Sequence, residues 1–231
     1  DPNNPHSLSD NKVTAIIEDG DGALWIGAMA GGVNRLDRET GKFTAFKVDA
    51  SNPVDSTLSG SQNITALLAD PKGFLWVGSW GGGLSRFDKS KNQWITYTQK
   101  NGLPSNVIYG ILADRRGFIW ISTGKGLSRF NPREESFKNF DVAAGLQGDV
   151  FNPNAYFKNP ATGEMFFGGM RGFNSFFPDK IEDNPYIPPV VITAFKKFNQ
   201  PMEFDREISE VKEISLHEKD NFFSFEFVAM N

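Results

Sequence analysis

Three groups of residues in this 231-residue chain have the types and spacing that chemistry needs. Asp19-Gly20-Asp21-Gly22 sets two carboxylates in one turn, in the manner of a calcium loop. Calcium needs several oxygen ligands. The matching turns Asp70-Pro71-Lys72-Gly73 and Asp114-Arg115-Arg116-Gly117 carry a base where the second Asp stands. The leading Asp is therefore expected to accept backbone N–H bonds of its own turn. Arg35, Arg86 and Arg129 recur in register and would either ring an anion or pair with acids of a neighbouring segment. The 28 acidic residues make some close carboxylate pair inevitable, and nothing singles out the two that a glycosidase needs. His6 and His217 stand far apart, so neither a triad nor a His-based metal site is supported. With no cysteine, disulfides, Cys-ligated zinc and a thiol nucleophile are excluded. No catalytic residue, metal or cofactor is expected.

The elements that would position these residues form a repeat. Trp25, Trp76 and Trp120 each follow a Gly by three residues (Gly22, Gly73, Gly117) and an Asp by six (Asp19, Asp70, Asp114). A degenerate fourth copy has Gly163 and Phe166. Successive copies lie 51, 44 and 46 residues apart, from Trp25 to Trp76, Trp120 and Phe166. That is the period of a propeller blade. A second Gly (Gly32, Gly83, Gly126, Gly172) follows each aromatic, and the first three copies continue into Arg-Leu-Asp, Arg-Phe-Asp and Arg-Phe-Asn. In the first copy, strands are expected at 13–18, 24–28, 33–36 and 43–46, joined by Gly-containing hairpin turns. A four-stranded sheet cannot bury both faces alone, and stacking blades does so, with the Trp as wedge between them. The predicted fold is all-β: a partial β-propeller of four four-stranded blades, about 8–48, 58–98, 103–141 and 146–181 within residues 1–183. A Pro-rich acidic junction at 178–189 leads to residues 184–231, read as the first strands of an Ig-like β-sandwich, at 190–193, 213–216 and 222–228. Phe223, Phe225 and Phe227 alternate with Ser224, Glu226 and Val228 as on a half-buried strand.

The run Asp-x-x-Gly-x-Leu/Ile-Trp-Ile/Val-Gly/Ser followed by Gly-Leu-x-Arg-Phe resembles the two-component regulator propeller repeat. The stretches Asn3–Asn11 and Gly102-Leu103-Pro104-Ser105-Asn106 fit the same family, and Pro188-Pro189-Val190-Val191-Ile192-Thr193 resembles the opening of the Ig-like domain after such propellers. The resemblance implies a periplasmic, extracytoplasmic sensor region of a membrane receptor. Its output module, often a histidine kinase, would lie beyond a transmembrane segment, and several relatives sense carbohydrate fragments. The four copies are fewer than the family's full ring, so the chain reads as a fragment. The Asp-to-Trp spacing is also similar to the Asp box of sialidases, where the acid stands one position nearer the Trp. The Arg cluster and Tyr nucleophile of a sialidase are not grouped here.

Loop tips on a rigid scaffold carry recognition. The loops entering the first strands and those joining second to third strands share one propeller face. They bring Asn11, Asn63, Asn106 and Asn154 together with Met29, Trp80, Lys125 and Arg171. Trp80 belongs to no repeat position and is flanked by Gly81-Gly82-Gly83, which would leave its ring open to stack on a sugar, or free to pack on the next blade. The expected partner is a small molecule or oligosaccharide. A protein-binding scaffold and a polysaccharide-active enzyme are the alternatives. The net charge of −4, without a basic run, gives no footprint for nucleic acid or an anionic membrane. Membrane attachment is expected only through segments beyond these residues. Four blades would leave two apolar end faces, so pairing with another copy, or cover by the tail, is expected.

Overall fold

The computed structural model describes residues 3–48, 62–182 and 189–229. The expected start of the second blade (58–61), half of the predicted junction (183–188) and the two ends of the chain lie outside the described residues. The chain divides into two compact units, 1–181 and 182–231.

The first unit is a series of antiparallel meanders, each hydrogen-bonded in chain order. Blade 1 comprises β1 (Val13–Glu18), β2 (Leu24–Ala28), β3 (Gly32–Leu36) and β4 (Phe43–Phe46). Blade 2 comprises β5 (Ile64–Ala69), β6 (Phe74–Ser79), β7 (Gly83–Asp88) and β8 (Gln93–Tyr97). Blade 3 comprises β9 (Ile108–Ala113), β10 (Ile119–Thr123), β11 (Gly126–Asn131) and β12 (Ser136–Phe140). Blade 4 has three strands among the described residues, β13 (Phe151–Lys158), β14 (Met165–Gly169) and β15 (Gly172–Phe176), where four were expected. Its outer strand is pre-empted by Pro178, which lacks an N–H for a ladder and opens the 3-10 turn Pro178–Lys180. Arg116 of blade 3 pins that turn by donating to the Pro178 carbonyl and pairing with Asp179.

Blades bury their faces against each other through the tryptophans. Trp25 packs with Leu75, Val77 and Phe87 of blade 2, Trp76 with Ile119, Ile121 and Phe130 of blade 3, and Trp120 with Met165 and Phe167 of blade 4. Burying a Trp in such a seam stabilises it by roughly 25 cal/mol for each Å² of apolar surface removed from water. The outer strand of the same blade supplies a second aromatic. Phe46, Tyr97 and Phe140 lie 5.4, 6.5 and 5.5 Å from Trp25, Trp76 and Trp120. Inner strands pack where the motif has Gly. A Cβ on Gly27 would meet Ile64 Cγ2 at 2.6 Å, and one on Gly78 would meet Ile108 Cγ2 at 2.5 Å. Phe166, the degenerate copy's counterpart of the Trp, faces away from blade 3 as each Trp faces away from the blade before it, and is only half-buried because no further blade covers it among the described residues. Met165 and Phe167 meet Trp120 of blade 3, as Leu75 and Val77 meet Trp25.

The second unit is a three-stranded antiparallel sheet in which β16 (Val190–Lys197) lies between β17 (Gln200–Pro201) and β18 (Phe223–Ala229). The strand expected at 213–216 does not form. The edge it would take is occupied by β17, and the segment pairs with no strand among the described residues. Phe195 is buried among Phe204, Phe223 and Phe225. Residues of β18 are nonetheless exposed along its whole length, where half-burial was expected, because no second sheet covers it among the described residues.

Candidate functional site

Each leading aspartate of the repeat is saturated within its own turn. Asp19 Oδ1 accepts the N–H groups of Asp21 and Ala23 (3.0 Å each), and Oδ2 accepts the Trp25 indole N–H at 2.8 Å. Asp70 and Asp114 repeat the pattern, taking the Trp76 and Trp120 indole N–H groups at 3.2 and 3.0 Å. The turn thereby locks the rotamer of the wedge Trp. In the turn with two carboxylates, Lys89 Nζ of blade 2 sits 2.7 Å from Asp19 and 3.0 Å from Asp21, in the place a cation would take. Burial pushes the Asp19 carboxyl up, but the Lys89 ammonium, the Trp25 indole and two backbone N–H groups outweigh it and hold the pKa at about 2. In the fourth copy Pro160 stands six residues before Phe166, and Asn159 caps the turn by accepting from Ala161 and Thr162.

The arginine row does not make one site. Arg86 stacks over Phe74 and Trp76 (5.0 and 5.8 Å) and reaches Glu135 of blade 3 at 3.8 Å. Arg129 lies over Phe118 and Trp120 (4.7 and 5.9 Å). Arg35 has Ala23 where the others have Phe, and is exposed.

The opposite face, where the inner strands begin, is shaped by bulges. The register of β1 shifts between Val13 and Ala15, and that of β5 between Ile64 and Ala66. In β9, Ile108 and Gly110 pair with adjacent residues of β10, leaving Tyr109 as the extra one. Thr14, Thr65 and Tyr109 are the bulged residues, and all three stand eleven residues before their Trp. A bulge re-aims side chains out of the ladder. In β13 the irregularity is larger, spanning Phe151 to Tyr156, and Asn154 within it has φ +60°.

These bulges and the neighbouring loop tips enclose a pocket of about 330 Å³, lined by Thr14, Met29, Asn63, Ile64, Thr65, Trp80, Pro153 and Asn154. Blades 1, 2 and 4 therefore meet at one cavity. Four residues expected on this face line it: Met29, Asn63, Trp80 and Asn154. Trp80 is 49% exposed. Its ring stands edge-on to Tyr109 of blade 3, with centroids 5.5 Å apart, and its backbone bridges to Val107. It thus packs on the next blade and keeps an open face.

The other four expected residues lie outside this pocket. The four asparagines are not equivalent. The Asn63 carbonyl accepts the Trp80 N–H, a role that Lys12, Val107 and Val150 play in the other blades. Asn106 is structural, since its carbonyl accepts from Gly81 and Gly83 and its Oδ1 from Gln99 N–H. Asn11 holds the matching position of blade 1 and is exposed. Lys125 and Arg171 sit one residue past the positions matching Trp80, which are Gly124 and the 74% exposed Met170. Sequence reading missed Thr14, Thr65, Ile64 and Pro153. The common distance of Thr14, Thr65 and Tyr109 from the Trp was the available signal.

The cavity at the loop end of the blades is thus lined by an aromatic ring, two amides and two hydroxyls together with Met29, Ile64 and Pro153. The two component regulator propeller family matches the chain at residues 7–30, 57–81 and 102–125. Each match runs from the loop before the inner strand to the tip after the second, so the pocket loops lie inside or beside it. The chain is 26% identical over 242 residues to histidine kinase P4 of Formosa agariphila, covering all of this chain and 17% of that protein. It is also similar to the extracellular domain of a hybrid two component system from B. thetaiotaomicron, at 27% identity and a TM-score of 0.70, covering 97% of this chain and 30% of that one. Virginiamycin B lyase from Staphylococcus aureus shares the fold alone, at 14% identity and a TM-score of 0.54 over 81% of this chain and 62% of the lyase.

Proposed function

We propose that this chain is part of the periplasmic ligand-sensing region of a membrane-bound two-component receptor, and that it binds a carbohydrate at the pocket of Trp80. The similarity to a histidine kinase and to an extracellular two-component domain supports the receptor reading. The observation that carries the ligand class is the half-open Trp80 ring, held edge-on by Tyr109 and surrounded by Asn63, Asn154, Thr14 and Thr65. An aromatic face takes the C–H surface of a sugar, and amides and hydroxyls bond its rim. The eight lining residues include no carboxylate, imidazole or amine, so the pocket suits binding rather than the acid–base work of a glycosidase. Calorimetric titration against a panel of neutral and acidic oligosaccharides tests this. Binding by wild type and a loss of tenfold or more in Trp80→Ala are expected. An unchanged affinity in Trp80→Ala would overturn the site, and release of cleaved product would overturn the binding role.

A further inference from the structure

The hairpin face carries a second feature, opposite in sign to the chain as a whole. A cavity of about 330 Å³ lies between blades 2 and 3, bounded by the β5–β6 and β9–β10 turns and by the turn after β11. Five cationic side chains line it: Lys72, Arg86, Arg115, Arg116 and Arg133. Its two carboxylates, Asp70 and Asp114, are engaged by the Trp76 and Trp120 indoles and by turn N–H groups. Arg115 and Arg116 are adjacent, but the other three come from separate elements, which is why no longer basic run marks them in the sequence.

The repeat provides an internal comparison. The equivalent groove between blades 1 and 2 is lined by Asp19 and Asp21 against Arg35 and Lys89, a balanced set. There Lys89 bridges both carboxylates. In the second groove two substitutions reverse the balance. Asp21 is replaced by Lys72, and Lys89 by Pro132, with Arg133 following. Among the described residues, the side chains of Lys72 and Arg133 have no ion pair. Among the described residues, Arg115 donates only to the Ala161 carbonyl. Arg86 is held in place by stacking on Phe74 and Trp76, and its acid Glu135 is shared with the Tyr97 hydroxyl, which donates to it at 2.7 Å. A preorganised guanidinium beside two cations without an ion pair among the described residues is the donor set that the oxygens of a sulfate or sulfate ester take.

We propose that the groove between blades 2 and 3 is an oxyanion site that takes a sulfate group, either free or carried on a saccharide. It is separate from the Trp80 pocket, and stands or falls independently of it. The test is calorimetry on this chain with sodium sulfate, glucose 6-sulfate and glucose, at constant ionic strength set by sodium chloride. Saturable binding is expected for sulfate, glucose 6-sulfate or both, and not for glucose. Tighter binding of glucose 6-sulfate identifies a saccharide-borne group, and equal affinities identify the free anion. Lys72→Gln with Arg133→Gln should weaken binding tenfold or more. Lys42→Gln, a charge removed from the same face of blade 1, should leave it unchanged. Lys72→Asp with Pro132→Lys installs the first groove's bridge and should abolish binding in a folded protein. Absence of saturable sulfate and glucose 6-sulfate binding, or wild-type affinity in the double Gln variant, would overturn the proposal.

Discussion

At the scale of single residues, the repeated aspartates are rotamer locks for the wedge tryptophans. The first of them is also an acid-sensitive tie between blades. Asp19 has a pKa of about 2 against an ordinary 3.8, so its stabilisation is fully present above pH ~4 and is lost as pH falls toward 2. The shift corresponds to about 2 kcal/mol at neutral pH. Thermal melts between pH 5 and 2 should show this loss in wild type, and a flatter pH dependence in Asp19→Asn. Parallel slopes in the two proteins would mean that Lys89 and the indole do not hold the carboxylate. The six-residue distance from Asp to Trp was legible in the sequence because both ends lie in one hairpin. Lys89 was not, because no local pattern ties residue 89 to residue 19. That pairing exists only once two blades are stacked.

Among elements, what the sequence made legible was whatever repeats, and what it hid was where a copy departs. The strands of blade 1 fall where the alternation and turn glycines place them, with β3 one residue longer. The glycine after Trp-Ile or Trp-Val was visible, but its reason was not: the inner strand of the next blade packs against it. Gly78→Ala would push a methyl group against Ile108 Cγ2, and should cost about 1–3 kcal/mol. Gly20→Ala meets nothing within 4 Å and should be nearly neutral. Chemical denaturation of the two variants checks the difference, and equal stabilities would sink the account of blade stacking. The bulges escaped notice because each leaves the alternation of its strand intact on either side. Blade 4 escaped because Phe166 keeps the spacing and the facing of the Trp, while the departure lies further on, where Pro178 opens a 3-10 turn in place of the outer strand.

On the scale of the whole chain, Phe166 faces the direction in which Trp25, Trp76 and Trp120 meet a following blade. Phe157 pairs beside it in the ladder, and Phe173 lies with its ring 6.3 Å away. Phe157 and Phe173 are 57% and 66% exposed. On the near face of blade 1, Ile16 is likewise 62% exposed. Aromatic surface of this kind is covered in the seams between the other blades, where each wedge Trp is at most 2% exposed. The same chemistry applied at the open face favours a second copy of the chain as its cover. Light scattering on the purified chain should give twice the monomer mass at micromolar concentration. Phe157→Ser with Phe173→Ser should return it to the monomer without loss of the β signature in circular dichroism, because neither residue belongs to a seam. A wild-type monomer at every concentration would mean that the exposed face of blade 4 drives no association.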